Sequence, residues 1–217
     1  MSFSYPTESL REFDRRMDAS GKCGVEQLMR LAGAAVAEAV ESLRSQREGD
    51  KCTVVLVGKG NNGGDALVAA TDLRQMGFEV RVVMPKGAQG LPADAARAYA
   101  GWIAAGGSTE IALDSQRAPD LVIDGLFGIG LNRPLGADWQ ALVDQVNGWG
   151  VPILALDVPS GLDADTGARL GRPILARWTL SFIARARGLL QPGAALAVGE
   201  SHVDALGVAI PQAGDGG

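Results

Sequence analysis

Short aliphatic runs alternate with longer stretches of helical periodicity along most of the chain. Residues 54–57 read Val, Val, Leu and Val, a composition typical of a strand that is buried on both faces. From Asp65 onward, apolar residues recur at helical spacing as far as Gly77, which is a good helix stop. Because this alternation is repeated, the pattern predicts an α/β fold with right-handed crossovers and a mainly parallel sheet covered on both faces.

The same periodicity predicts the bounds of the individual elements. The predicted helices are 4–18, 25–46, 65–76, 92–105 and 136–147. The predicted strands are 52–57, 79–84, 108–113, 120–124 and 152–156, with further strands near 178–183 and within 195–205. We expect the first two helices to pack on the core. A role in a subunit interface is the more specific alternative to core packing, since small residues form one face of the second helix.

A glycine- and asparagine-rich turn, GKGNNGGD at residues 58–65, follows the first aliphatic strand. Strand, turn and helix in this order form a cradle for an anion or a nucleotide, because free N–H groups and the helix dipole point at the turn. Gly58, Gly60 and Gly63 also satisfy the G-x-G-x-x-G pattern of dinucleotide-binding sites. Those sites need an acid at the end of the next strand, whereas Glu79 stands at its start. The pattern therefore disfavours ordinary NAD binding, and a turn that binds nothing is the plain alternative.

Two further loops rich in Gly, Asn and Asp begin where aliphatic strands end. One runs from Asp124 to Pro134 and the other from Asp157 to Gly167. Since ligands of parallel α/β sheets bind at the carboxyl ends of the strands, we expect all three loops at one edge. Asp124 and Asp157 are predicted at equivalent positions on their strands, where a carboxylate either caps a turn or meets a ligand. Two such acids facing a third polar loop favour a functional site.

The three loops resemble the signatures of the NAD(P)H-hydrate epimerase family, the YjeF N-terminal domain. They read GKGNNGGD at 58–65, DGLFGIGLNRPL at 124–135 and DVPSGLDADTG at 157–167. The resemblance implies a Rossmann-like three-layer α/β/α sandwich, with a single domain over residues 1–211 and a flexible tail at 212–217. It also implies interconversion of the R and S forms of hydrated NADH and NADPH, NAD(P)HX. The implied partners are a second copy of the chain in a homodimer and an ADP- or ATP-dependent dehydratase, separate or fused.

The resemblance also implies roles for individual residues. The substrate-binding residues carried over by position are Asn61, Asn62, Gly63, Gly64, Asp65, Gly128, Ile129, Gly130, Leu131, Asn132, Arg133, Pro134 and Asp157. A potassium ion is implied at Asn62, Asp124 and Ser160, whose side-chain oxygens suit a hard cation. Asp157 is predicted to protonate the departing hydroxyl of the hydrated ring and to deprotonate the incoming water. The single histidine, His202, lies outside the three loops, which disfavours a histidine-based triad.

The chain departs from the family pattern at two places. Arg30 and Leu31 replace the acid and the amide of the usual Met-Glu-Asn-Ala-Gly sequence, and residues 186–188 read Ala-Arg-Gly instead of Lys-Pro-Gly. Either Arg185 or Arg187 compensates for the missing lysine, or the site is altered. These departures keep a second hypothesis open, a nucleotide-binding protein without catalysis. The third hypothesis, an NAD(P)-dependent oxidoreductase, is weakened by the lack of a ribose-binding acid.

Composition narrows the remaining possibilities. A chain of 217 residues that is 47% hydrophobic suits one sizeable α/β domain. A formal net charge of −5, without a block of Lys or Arg, argues against a nucleic-acid interface. Cys23 and Cys52 show neither disulfide nor metal spacing, and no apolar run reaches membrane-spanning length. We therefore expect a soluble cytoplasmic protein.

Overall fold

The computed structural model of the protein describes residues 4–20, 24–44, 52–114 and 116–208, without the side chains of residues 18–20 and 44. Cys23, the predicted domain end at 211 and the tail at 212–217 lie outside these ranges. The helices are α1 (Thr7–Ser20), α2 (Val25–Arg44), α3 (Asn61–Gln75), α4 (Ala93–Ala104), α5 (Ala137–Gly148) and α6 (Ala195–Val198). The strands are β1 (Ser4–Tyr5), β2 (Cys52–Val57), β3 (Glu79–Val83), β4 (Thr109–Glu110), β5 (Leu121–Gly125), β6 (Ile153–Leu156), β7 (Trp178–Phe182), β8 (Arg185–Ala186) and β9 (Glu200–Asp204).

Seven strands form the central sheet in the order β4-β3-β2-β5-β6-β7-β9, and each neighbouring pair is parallel. A separate parallel pair joins β1 to β8. The chain moves outward from β2 through β3 to β4 and then returns to place β5 on the other side of β2. The strand order therefore reverses between β2 and β5, which is where parallel α/β sheets bind their ligands.

Side chains of the central strands alternate between two buried layers, as the period of a strand requires. In β2, Val55 and Val57 join the apolar cluster that α2, α3 and α4 cover. Val54 and Leu56 point to the other face and join the cluster that α5 covers. The sheet is thus enclosed on both faces, and the predicted three-layer α/β/α architecture with a mainly parallel sheet is confirmed.

Helix α3 begins at Asn61, four residues before the predicted start at Asp65. The prediction was wrong there because the glycines of this stretch serve close packing and do not form a turn. A Cβ at Gly63 would lie 2.2 Å from the carbonyl oxygen of Gly58, and one at Gly64 would lie 2.5 Å from Cε of Met29. Glycine is therefore needed in the first helical turn so that it can approach β2 and α2.

Three other bounds differ from the predictions. Ser4–Tyr5 is a short strand rather than the start of a helix, and the predicted strand 108–113 is reduced to Thr109–Glu110. The stretch 195–205 contains α6 before β9, because Gly199 takes φ 60° at the end of the helix and lets the chain turn into the strand. In the described ranges, no helix is long and apolar enough to cross a membrane.

Candidate active site

A cavity of about 530 Å³ opens at the carboxyl edge of the sheet, beside the ends of β2 and β5. All three predicted loops contribute to its walls. The predicted substrate-binding residues that line it are Asn61, Asn62, Asp65, Gly128, Ile129, Gly130, Leu131 and Asp157. The sequence therefore correctly placed these loops around one cavity, although what they bind there stays a prediction.

The other predicted site residues lie around this cavity without lining it. Gly63 and Gly64 are buried in the first turn of α3. Asn132, Arg133 and Pro134 are exposed and follow the lining residues of their loop. Asp124 and Ser160 are fully enclosed and do not reach the cavity surface.

The start of α3 faces the cavity with its backbone. No side chain caps this helix, because the preceding residue is Gly60. The N–H groups of a first helical turn have no partner within the helix, so they are available to an anionic ligand. Lys59, next to the turn, also lines the cavity. The uncapped helix start thus lies where the glycine-rich sequence predicted an anion cradle, and anion binding there stays a prediction.

Asp157 follows β6 in a left-handed backbone conformation, with φ 63°. Its Oδ2 accepts a hydrogen bond from the Ile129 N–H at 3.1 Å. A Cβ at Gly128 would lie 2.7 Å from the same oxygen, so glycine leaves the room for this carboxylate. Burial raises the pKa of Asp157 to about 6, against the lowering effect of the Ile129 hydrogen bond.

Asp124 and Asp157 are not at equivalent positions, and that prediction was wrong. In the β5–β6 pairing Asp124 lies opposite Ala155, so Asp157 stands two residues farther along. Asp124 belongs to its strand and is fully buried, whereas Asp157 lies beyond its strand and faces the cavity. The offset separates an enclosed carboxylate from one that a ligand can reach.

Two further carboxyl groups share the cavity with Asp157. Burial, followed by the charges of Asp157 and Asp14, raises the pKa of Asp65 well above its ordinary value. Asp14 of α1 also lines the cavity, and partial burial raises its pKa. Within the described part of the chain, none of the three carboxyls forms an ion pair with Lys or Arg.

The three predicted potassium ligands are Asp124 itself, Ser160, which contacts Asp124 and Phe127, and Asn62, which lies next to Gly128. Asp124 accepts hydrogen bonds from the Ser160 N–H at 2.8 Å, the Ser160 hydroxyl at 2.7 Å and the Leu126 N–H at 3.2 Å. Burial raises the pKa of Asp124 to about 6 in spite of these donors. Asn62 donates to the Leu156 carbonyl at 3.3 Å, while its buried Oδ1 has no hydrogen-bond partner.

This donor set fits a hard cation of low charge better than a transition metal. Amide, hydroxyl and carboxylate oxygens are typical ligands of such ions. The unpartnered Oδ1 of Asn62 is a buried acceptor, which is costly unless a donor or a cation satisfies it. Across the described residues, no group of three or more His, Cys, Asp or Glu side chains is placed to hold a metal.

Arg185 and Arg187, which the sequence offered as one of two explanations for the missing family lysine, do not line the cavity. Arg185 is buried and donates to the Ser201 carbonyl at 2.9 Å, and Arg187 pairs with Asp165 at 3.1 Å. The other departure also lies outside the cavity. Arg30 is exposed on α2, and Leu31 packs into an apolar cluster. His202 is exposed on β9 and is likewise not a cavity residue.

Sequence patterns missed the part of the cavity that α1 and the β7 end build. Arg11, Phe13 and Asp14 line it from α1, and Met29, Phe182, Ile183 and Leu206 line it from other segments. The apolar spacing of Leu10, Phe13 and Met17 predicted α1 as an amphipathic helix, but the spacing could not show which polar residues face a ligand.

Backbone strain is concentrated at the cavity. Asp157, Ile183 and Leu206 are the non-glycine residues of the described ranges with positive φ, at 63°, 65° and 51°, and all three line the cavity. For a β-branched residue such as Ile183 this conformation is unusual, and each such residue costs roughly 1–3 kcal/mol. Strain of this kind persists where surrounding structure holds the chain in place, which is typical of functional sites.

A cavity at the switch point of a parallel α/β sheet, beside the open start of a glycine-rich helix, is an arrangement typical of nucleotide-binding proteins. The particular family follows from comparison with known sequences. The family model described as YjeF-related protein N-terminus matches residues 25–188. The chain belongs to this family.

Named relatives agree with the assignment, and a solved structure shares the fold. A protein of Achromobacter xylosoxidans (strain A8) named NAD(P)H-hydrate epimerase is 62% identical over 97% of this chain and 98% of its own length. A Leishmania braziliensis protein named bifunctional NAD(P)H-hydrate repair enzyme is 36% identical over 92% of this chain. The matched region covers 36% of the length of that relative. The crystal structure of yeast ynu0, YNL200c, shares the fold with a TM-score of 0.77 at 22% identity, covering 93% of this chain and 87% of that one.

Proposed function

We propose that the protein interconverts the R and S epimers of hydrated NADH and NADPH. The observation that carries the proposal is the set of three unpaired carboxyl groups, Asp14, Asp65 and Asp157, in one cavity beside the open start of α3. Full-length similarity to the Achromobacter protein named NAD(P)H-hydrate epimerase supports the same activity.

Epimerisation at the hydrated ring carbon requires a hydroxyl to leave one face and a water to add to the other. The lone pair of the ring nitrogen assists departure and leaves an iminium cation. Asp65, whose pKa is raised by burial and by the charges of Asp157 and Asp14, gives its proton to the departing hydroxyl, which leaves as water. Asp157 takes a proton from the water that attacks the opposite face. One proton then returns from Asp157 to Asp65, directly or through solvent, and the cycle is balanced.

The charge distribution of the cavity supports this sequence of steps. A cationic intermediate is stabilised by nearby carboxylates in a partly water-excluded site, and Asp14 adds a third acidic group. Burial raises the pKa of both Asp65 and Asp157, which suits two neighbouring carboxyl groups that give and take protons. Lys59 and the first-turn N–H groups of α3 provide the opposite charge that the nucleotide phosphates need.

A potassium ion completes the proposal, held by Asn62, Asp124 and Ser160. The unpartnered Oδ1 of Asn62 supports it, since this oxygen would gain a partner. When bound, the ion supplies positive charge that offsets the buried Asp124 carboxylate. The three residues belong to α3, β5 and the loop after β6, so an ion held between them would link three elements next to the cavity.

Two partners belong to the proposal without a contact in the structure to support them. These are a second copy of the chain, in a homodimer, and an ADP- or ATP-dependent dehydratase that uses one epimer. The bifunctional name of the Leishmania relative supports the second partner, since it describes two repair activities in one chain. A binding protein without catalysis is the alternative that the departures at 30–31 and 186–187 raised from the sequence, but these residues lie outside the cavity.

The deciding experiment starts from one purified epimer of hydrated NADH. The epimer ratio is followed by chromatography with and without the protein, so that any uncatalysed change is subtracted. We expect the protein to accelerate equilibration in both directions, without net consumption of nucleotide. Binding without acceleration would support the non-catalytic alternative, and consumption of reduced cofactor with a second substrate would indicate an oxidoreductase.

A further inference from the structure

Helix α1 connects two apolar clusters next to the cavity. Leu10 packs against the cluster that contains Val158 and Leu162, and so does Ile129. Phe13 and Met17 pack against a different cluster, which includes the strained cavity residues Ile183 and Leu206. The helix is therefore anchored by its apolar face on both clusters while other side chains point into the cavity.

The beginning of α1 is also fixed by hydrogen bonds. The Thr7 N–H and hydroxyl both donate to the Asp165 carboxylate, at 2.9 and 2.5 Å. Arg187 pairs with the same carboxylate at 3.1 Å. Because Asp165 belongs to the loop after β6, this contact ties the helix to the segment that also carries Asp157.

Arg11 extends from α1 to the loop after β5. Its Nη2 donates to the Ile129 carbonyl at 3.0 Å, and the Ile129 N–H donates to Oδ2 of Asp157 at 3.1 Å. Ile129 thus accepts a hydrogen bond from α1 through its carbonyl and donates one through its N–H to the Asp157 carboxylate in the cavity. Ile129 lies between Gly128 and Gly130, which leave the backbone on both sides free to rotate. The Arg11 contact adds to the packing of Ile129 on its apolar cluster and restricts the carbonyl side of this backbone segment.

We propose that Arg11 is a positioning residue, which holds Ile129 in the orientation that keeps its N–H on Asp157. The inference rests on the proposed function only for its effect on turnover. The geometric coupling between Arg11 and Asp157 exists in the free protein. Arg11 acts through the Ile129 backbone, so it differs from a residue that contacts substrate.

The chain offers matched variants for a test. Arg11→Met removes the donor and keeps an unbranched apolar stem, whereas Arg11→Lys keeps a positive charge and a donor with different reach. Arg16→Met is the control, because Arg16 lies on the same helix, pairs with Glu12 at 2.9 Å and does not line the cavity. Both positions are exposed, so the three variants are expected to fold, and circular dichroism melting curves check this.

The first measurement uses the free protein and needs no substrate. Nuclear magnetic resonance of the Ile129 amide gives its hydrogen-exchange rate and its shift as a function of pH. In the Arg11→Met variant we expect exchange at least about threefold faster, the effect of losing one modest hydrogen bond. We also expect the titration of this amide to move to higher pH, because a carboxylate that loses an N–H donor binds its proton more tightly. Asp14 and Asp65 also face Asp157 and are unchanged in every variant.

The second measurement is epimerisation. We expect Arg11→Met to lower kcat by about three- to tenfold with KM nearly unchanged, Arg11→Lys to restore part of kcat, and Arg16→Met to match the parent protein. A rise in KM alone, with the Ile129 amide unaffected, would show that Arg11 binds substrate directly and would overturn the proposal. Unchanged kcat and unchanged amide exchange would overturn it as well. If the parent protein does not epimerise, the amide measurement still decides the coupling.

Discussion

The acidic residues of the cavity and those of the outer surface are in opposite electrostatic situations. Around the cavity, burial dominates and raises the pKa of Asp65 and Asp157. For Glu110 and Asp165, which do not line the cavity, hydrogen bonds dominate instead. The Arg81 side chain lowers the pKa of Glu110, and Thr7, with help from Arg187, lowers that of Asp165. The same residue type is therefore paired where it supports the fold and left unpaired where the cavity opens.

This difference shows what the cavity carboxyls are suited for. A buried acid without a cation partner destabilises the folded protein in its ionised form, so its presence needs another explanation than stability. Raised pKa values near neutrality suit groups that give and take protons. The pKa values of the paired acids are lowered, so these acids stay ionised near neutral pH and do not exchange protons there. Their ion pairs and hydrogen bonds hold elements of the fold together instead.

The largest effect is expected from Asp157→Asn. The amide keeps the size of the side chain and can accept the Ile129 N–H, but it cannot take a proton from water. We expect epimerisation to fall by roughly 10²–10⁴-fold, the usual contribution of a general base, while the affinity for the hydrated nucleotide changes little. Single-epimer kinetics and a calorimetric titration measure the two quantities. An Asp157→Asn variant with parental turnover would remove this carboxyl from the mechanism.

A smaller and pH-dependent effect is expected from Asp65→Asn. Activity of the parent protein should fall below pH about 6 as Asp157 becomes protonated, and fall again at higher pH as Asp65 loses its proton. Because Asn cannot donate that proton as an acid, the variant should lose at least about tenfold at neutral pH and should lack the alkaline limb. An alkaline limb that persists in the variant would assign it to another group.

The sequence predicted the layers of the fold and the three cavity loops because both depend on local signals. Aliphatic runs such as Val54–Val57 show that a strand is buried on both faces, and parallel topology then brings the loops to one edge. The start of α3 was misplaced because glycines that allow close helix packing have the same local signature as a turn. A single sequence does not distinguish these two uses.

Long-range contacts account for what the sequence did not predict. The offset between Asp124 and Asp157 depends on strand register. The contribution of α1 to the cavity depends on which apolar cluster each of its apolar residues packs against. Asp14 and Arg11 are ordinary surface residues in an amphipathic pattern, and only the position of α1 makes them cavity residues. Arg185 likewise depends on a long-range contact. Its sequence position suggested a place near the cavity, but its side chain is directed towards Ser201 by a hydrogen bond to that residue's carbonyl.

A stability effect is expected from potassium. We expect KCl to raise the melting temperature above that in choline chloride at equal ionic strength, since an ion that binds only the folded protein stabilises it by about 1.4 kcal/mol at ten times its Kd. Asn62→Ala should abolish this difference. Asn61→Ala is the control, because Asn61 lines the cavity but is not among the proposed ligands. An equal response to the two salts in the parent protein would contradict the ion site.

The smallest effect is expected outside the cavity, at the paired acid Glu110. Arg81 is nearly buried and donates to both carboxylate oxygens of Glu110, at 3.0 and 2.9 Å. Glu110→Gln should lower the melting temperature by about 2–4 °C at neutral pH, as roughly 1 kcal/mol does in a chain of this size. Epimerisation should not change, because neither residue lines the cavity.

The pH dependence of this effect follows from the lowered pKa of Glu110. Its contribution to stability is fully present above the ordinary pKa of 4.5 and is lost as pH falls through the lower value of the folded protein. The melting curves of the parent and Glu110→Gln proteins should therefore converge in acid. The contribution of Asp157 to stability changes with pH in the opposite direction. Its raised pKa makes the folded state relatively more stable as pH falls from above 6 towards 3.8. If Glu110→Gln reduced epimerisation as strongly as Asp65→Asn does, paired and unpaired acids would not divide into structural and catalytic groups.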